Sequence, residues 1–105
     1  METGLSQKAK MFKALSDETR LGALELLQDG EKCACVLIEK LMVGQSTLSY
    51  HMKILVESKI VNARKRGKWI HYTLNEEGCR DAVFLLQAVT AILPTKICET
   101  SERCC

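Results

Sequence analysis

Cys33 and Cys35 stand two residues apart in a chain of 105 residues that holds six cysteines. Thiols at i and i+2 share one side of an extended segment and can close on one thiophilic ion, whereas on a regular helix they point about 200° apart. A short helix is expected from about Cys35 to Met42, so an ion held by both sulfurs is expected to unwind or distort its start. Three further cysteines, Cys98, Cys104 and Cys105, follow Pro94 in a polar tail, residues 94–105, expected to be flexible. Cys79 opens an apolar run and reads as a packing residue. Met1 leads into a polar, lysine-containing stretch with no apolar h-region, so a secretory signal is not expected. The most apolar run, Ala82 to Leu93, is 12 residues long, against the ~20 that span a bilayer. A cytoplasmic location without a membrane partner is therefore expected, and the cysteines read as metal or thiol chemistry rather than a disulfide scaffold.

A second group of residues suits a polyanion. Between Gln45 and Tyr72 there are six basic residues (Lys53, Lys59, Arg64, Lys65, Arg66 and Lys68) and one acid, Glu57, so this segment carries +5 within a chain of net charge +2. The rest of the chain is therefore acidic, and one face is left to meet negative charge. Composition agrees with a folded domain, at 47% hydrophobic and 27% charged residues, rather than with disorder.

The elements that must position these groups are mostly helical. Leu5, Ala9, Phe12 and Leu15 are spaced as a first amphipathic helix. Ser16 and Asp17 offer cap oxygens to a second, with Leu21, Leu24 and Leu27 as its apolar stripe and an end near Asp29-Gly30. A third helix stops before Gly44. A fourth begins at Ser46-Thr47 and carries Leu48, Met52 and Leu55 inward. Two β-prone runs, residues 60–64 and 69–74, then flank Lys65-Arg66-Gly67-Lys68, a hairpin whose turn suits a positive φ at Gly67. A last helix, apolar nearly all round and ended by Pro94, needs partners on every side, its own core on one and a second subunit on another.

Helix, glycine-containing turn, helix and basic hairpin make a winged helix-turn-helix, a mainly α fold with a β-hairpin wing over residues 1–93. The fourth helix would enter a major groove with Gln45, Ser46, Thr47, Ser49, Tyr50, His51 and Lys53 at bases and phosphates, while Arg64, Lys65, Arg66 and Lys68 would neutralise the DNA backbone or reach a minor groove. Each has a plainer alternative. Ser46 and Thr47 would serve as helix caps, His51 as a hydrogen-bonded structural histidine, and Trp69 and Tyr72 are read as hairpin packing.

The stretches Ala14–Leu21, Gln45–Leu55 and Lys65–Tyr72 resemble the ArsR/SmtB family of metalloregulatory repressors over nearly the whole chain. That resemblance implies a homodimer, built on the first and last helices, that sits on palindromic double-stranded operator DNA until an inducer ion binds. Ser46 stands where many members carry proline, and either residue suits a helix N-terminus. Glu31-Lys32-Cys33-Ala34-Cys35-Val36-Leu37 is similar to the family's metal-binding box. Ile38 occupies the position of the third thiolate in many arsenic-responding members, and Val36 replaces the box's acid. Soft, thiol-only chemistry is thereby favoured, with As(III) or Sb(III) as inducer. The family's zinc site on the last helix is not expected, because Val83 stands where a histidine would be. The resemblance leaves the third thiolate to a tail cysteine of either subunit, or places a separate site at Cys98, Cys104 and Cys105.

Rival readings keep the repressor but exchange the inducer for a soft divalent ion such as Cd or Pb, or for thiol oxidation that pairs Cys33 or Cys35 with a tail cysteine. A thiol-rich metal buffer or carrier would explain the cysteines but not the basic segment. An enzyme is not expected, and no catalytic cofactor with it: there is no nucleophile elbow, phosphate loop or Cys-x-x-Cys pair.

Overall fold

A computed structural model of the chain describes residues 4–94. Elements follow in the order α1 (Gly4–Ala14), α2 (Glu18–Leu26), β1 (Lys32–Cys33), α3 (Ala34–Leu41), α4 (Gln45–Glu57), β2 (Val61–Arg66), β3 (Trp69–Leu74) and α5 (Glu76–Val89). The winged helix-turn-helix is present as expected, and so is its core. Leu48, Met52 and Leu55 on α4 are buried and cluster with Leu37 of α3, Ala23 of α2 and its C-cap Leu27, Ile60 just before β2, and Val61 and Tyr72 of the hairpin.

On α2 the expected stripe is displaced. Leu21 is 47% exposed, while Ala23 is buried together with Leu27. Steps of three residues drift round a helix by about 60° each, whereas an i, i+4 pair stays within about 40°. Asp17 caps the helix as expected, accepting a hydrogen bond from the Arg20 amide at 3.1 Å. The third helix ends as expected before Gly44, with Met42 in the left-handed conformation, φ 57°, at its C-cap. The fourth begins one residue earlier than expected, behind an extended Gly44, and neither Ser46 nor Thr47 caps it.

The hairpin pairs β2 with β3 in antiparallel register, from Val61 opposite Leu74 to Arg66 opposite Trp69. Gly67 takes φ 66° in the two-residue turn, the conformation that an L side chain resists. β1 is a third strand that periodicity does not reveal, because two residues carry no pattern. It sets Lys32 opposite Tyr72 and Cys33 opposite His71, which gives the sheet order β1-β3-β2.

α5 departs from expectation at both ends. Gly78 is its buried residue, and from Phe84 to Pro94 the chain buries no side chain. The expected contact with the chain's own core is thus confined to the helix's first turns. The helix closes at Val89, five residues before Pro94, where Thr90 returns its hydroxyl to the Leu86 carbonyl at 2.7 Å. Among the described residues, no helix is long and apolar enough to cross a membrane.

Candidate DNA-binding surface and thiol pair

α4 sorts its side chains by rotation. At about 100° per residue, Gln45, Ser46, Ser49, Tyr50 and Lys53 fall within an arc of about 140°, and all five are exposed. Thr47 is exposed beside that arc, at the helix start, where free backbone N–H groups favour an anion. The buried residues Leu48, Met52 and Leu55 occupy the adjoining arc, which begins about 20° from Gln45. The polar face is thus held by an apolar one that cannot rotate without exposing the core.

His51 does not join it. Its side chain is only 13% exposed, and its Nδ1 lies 2.8 Å from a guanidinium nitrogen of Arg20. A guanidinium only donates, so Nδ1 is the acceptor in this contact. Arg20 also donates through Nε to the Ala14 carbonyl at 2.8 Å and toward the Lys13 carbonyl at 3.3 Å. One side chain therefore ties the last turn of α1 to the start of α2 and to the middle of α4. In the sequence Arg20 is one residue of the Ala14–Leu21 stretch; no periodicity assigns it this role, since its partners lie up to 31 residues away.

Asp17 completes this group. The Arg20 amide hydrogen bond, helped by the Arg20 charge, holds its carboxyl below the usual carboxylate range. The stabilisation is therefore full above the unfolded-chain value and is lost as pH falls through the lower folded value. Asp17→Asn keeps a good cap residue but removes the charge. It is expected to be less stable than the natural chain at neutral pH, with the difference disappearing in urea melts run progressively below about pH 4. A difference that persists at the lowest pH would assign the effect to packing.

The hairpin divides its cations by strand alternation. Arg64, Lys65, Arg66 and Lys68 are all exposed. Lys65 and Lys68 border a groove shared with Gln45 and Ser49 of α4, floored by Leu48, Ile38, Trp69 and Tyr72. Tyr72 is buried and Trp69 packs against the core, as packing residues would. Arg64 and Arg66, two apart on the same side of β2, turn instead to Glu31.

At the other candidate site, Cys33 is extended and caps α3, with its sulfur accepting from the Cys35 amide at 3.2 Å. The two sulfurs are joined as a disulfide across Cα atoms 5.2 Å apart. The pair straddles the helix boundary, so the sulfurs converge with α3 intact. Cys35 is exposed and Cys33 half-buried, which leaves the reduced pair open to an incoming ion. Among the described residues, no three His, Cys, Asp or Glu side chains are gathered as a ligand group. Cys98, Cys104 and Cys105 lie outside the described residues. Cys79 is half-buried with its thiol toward the Ile60 carbonyl at 3.7 Å, and burial raises its pKa, which disfavours the thiolate a soft ion needs.

Sequence and fold comparisons bear on the family and the fold. The sequence pattern described as "Bacterial regulatory protein, arsR family" matches residues 17–63. The arsenical resistance operon repressor of Staphylococcus xylosus is 49% identical over 67 residues, an alignment spanning 64% of each chain and so less than two thirds of that protein. The arsenical resistance operon repressor of Staphylococcus aureus is 39% identical over 89 residues, covering 85% of this chain and 86% of the other. Among solved structures, the homodimeric winged helix-turn-helix DNA-binding domain Mb0332 from Mycobacterium bovis superposes with a TM-score of 0.67 at 24% identity, over 90% of this chain and 93% of that one.

Proposed function

As this chain belongs to the arsR family of bacterial regulatory proteins, we propose that it is a transcriptional repressor that binds duplex operator DNA as a homodimer and leaves it when Cys33 and Cys35 take up trivalent arsenic or antimony. The observation that carries the inducer half is the convergence of two sulfurs at the start of α3, which packs against α4. Each bond from a thiol to arsenous acid forms As–S and releases one water, which takes up the thiol proton. Two such bonds leave arsenic with one hydroxyl, and a tail cysteine is the thiol proposed to replace it, releasing a third water. The DNA half is supported by the exposed polar face of α4 beside the Lys65–Lys68 groove. Gln45, Ser46, Thr47, Ser49, Tyr50 and Lys53 would meet bases and phosphates, and the hairpin cations the backbone. His51 is reassigned to positioning α4, through Arg20.

The experiment is an anisotropy titration of operator fragments recovered from genomic DNA by the purified, reduced protein. Arsenite, antimonite, cadmium, zinc and peroxide are then added in turn. Release by arsenite or antimonite at concentrations where zinc has no effect is the expected result. Failure of both to release DNA would sink the inducer assignment. Peroxide is included because the two sulfurs are paired in the fold, which favours oxidation as the second reading: two thiols and one peroxide give a disulfide and two waters.

The dimer half rests on apolar surface that the single chain leaves in water. Val83, Phe84, Leu86 and Val89 on α5 are half or more exposed, and Leu5 on α1 is 76% exposed. Phe84, the most exposed of the α5 group at 71%, lines a groove with Gln7, Lys8 and Met11 of α1. Phe84→Glu is expected to convert the dimer to a monomer in sedimentation velocity and to weaken operator binding at least about tenfold, since each half-site is then held alone. A dimer unchanged by this substitution would place the interface elsewhere.

A further inference from the structure

Glu31 lies at the end of the α2–β1 turn, two residues before Cys33, and it faces the hairpin rather than solvent. Arg64 approaches both its carboxylate oxygens, at 3.3 and 3.4 Å. Arg66 lies 3.7 Å away, and so does His71 Nδ1. The Glu31 side chain is 28% exposed, whereas the Arg64 and Arg66 side chains are 64% and 56% exposed. An anion is thus partly sheltered while the cations around it stay open to the outside. The register explains how this comes about. Cys33, His71 and Arg64 stand opposite one another across β1, β3 and β2, so their side chains share the outer face of the sheet. Lys65 and Lys68 line the groove beside α4 instead.

We propose that Glu31 is an internal stand-in for a DNA phosphate, holding Arg64 and Arg66 on the outer face so that duplex DNA engages them only by drawing them off this carboxylate. The inference rests on the DNA-binding reading above and assigns the hairpin two classes of cation. Lys65 and Lys68 are available at once, while Arg64 and Arg66 are restrained by an acid on the same short segment as the thiol pair. A guanidinium suits such an exchange, because carboxylate and phosphate present it with the same paired oxygens. Exposed pairs of this kind are individually weak, so DNA phosphates can displace the carboxylate, at a cost in affinity.

The test uses a labelled mixed-sequence duplex of about 30 base pairs, because phosphate contacts do not depend on sequence. Affinity is measured against salt for the reduced natural chain, Glu31→Gln, Arg64→Gln, Lys65→Gln and the two double variants that combine either cation change with Glu31→Gln. Glu31→Gln preserves shape and removes the charge. It is expected to bind about three- to tenfold tighter, with a slope of log affinity against log salt steeper by about 0.9, one phosphate's worth. Glu31→Asp, which withdraws the same charge by one methylene, is expected to fall between the two. Arg64→Gln is expected to weaken binding more in the Glu31→Gln background than in the natural one, while Lys65→Gln weakens it equally in both. A structural role for Glu31 alone would not produce that asymmetry. Equal or weaker binding by Glu31→Gln, with the same Arg64→Gln loss in both backgrounds, overturns the proposal and leaves DNA binding intact. No binding by the natural chain at low salt overturns the DNA-binding reading and this inference together.

Discussion

A Cys33→Ser repressor is expected to hold operator DNA at arsenite concentrations that, on the proposed inducer, release the natural chain. Serine at this position is not a disruptive change. Cys33 caps α3 through its sulfur, and a serine hydroxyl is a better cap than a thiol, so the helix is retained or slightly strengthened. What is lost is one of the two donors at the helix start. An allosteric ligand lowers affinity at a second site by about 5- to 150-fold in typical cases, and the natural chain is expected to fall in that range under saturating arsenite. The Cys33→Ser chain is expected to change less than about twofold. If arsenite is the inducer, thermodynamic reciprocity requires that DNA weaken arsenite binding to the natural protein by the same factor. Operator release by Cys33→Ser at the natural arsenite concentration would move the sensor away from α3, and the tail cysteines would then be the ones to mutate.

Gly78→Ala is the substitution expected to do most damage to the fold. A Cβ at this position would lie 1.7 Å from the Lys59 carbonyl oxygen, a backbone atom with no freedom to swing aside. The crowding arises where the first turn of α5 presses on the end of α4. There the Asn75 amide donates to the Ile60 carbonyl at 2.8 Å, Asn75 caps α5 through the Gly78 amide at 2.7 Å, and Lys59 is held at φ 68°. An added methyl must separate the two helices and break that set of contacts together. A loss of about 3 kcal/mol or more is expected in urea unfolding at fixed protomer concentration. Gly44→Ala is the contrast. Its Cβ meets nothing within 4 Å, so a change below about 1 kcal/mol is expected. A Gly78→Ala loss as small as that of Gly44→Ala would show that α5 can move off α4 freely. Because the exposed apolar face belongs to α5, the same substitution is also expected to weaken the dimer.

Much of this protein could be read one element at a time. Leu48, Met52 and Leu55 declared the buried face of α4 because their spacing matches the helical period, and the polar positions between them declared the open face by the same arithmetic. Gly67 marked the hairpin turn because its positive φ excludes a side chain. The rotation that separates Gln45 from Leu48 also separates His51 from the polar face, so its inward position was available in the sequence to angular counting. Leu21 was misplaced by counting in threes where the helix repeats at nearly four.

What periodicity cannot carry is any relation between elements. The two residues of β1 have no pattern, yet their pairing with β3 sets Cys33 opposite His71 and brings Glu31 against Arg64, 33 positions along the chain. Arg20 looks like an ordinary helix cation until the fold brings α1 and α4 to it. The approach of Gly78 to Lys59 is likewise a fact of packing, invisible in residues so far apart along the chain.

Residue types and local spacing were enough to name the class of chemistry. The cysteine pair, the basic hairpin and the amphipathic periods all follow from geometry that acts over a few positions. How these parts meet is a property of the folded chain. The thiols converge because the helix boundary falls between them, and two of the hairpin's four cations are restrained because a turn from elsewhere in the chain delivers an acid to them. Close packing between elements and charge pairing across them set those relations, and neither is encoded in spacing.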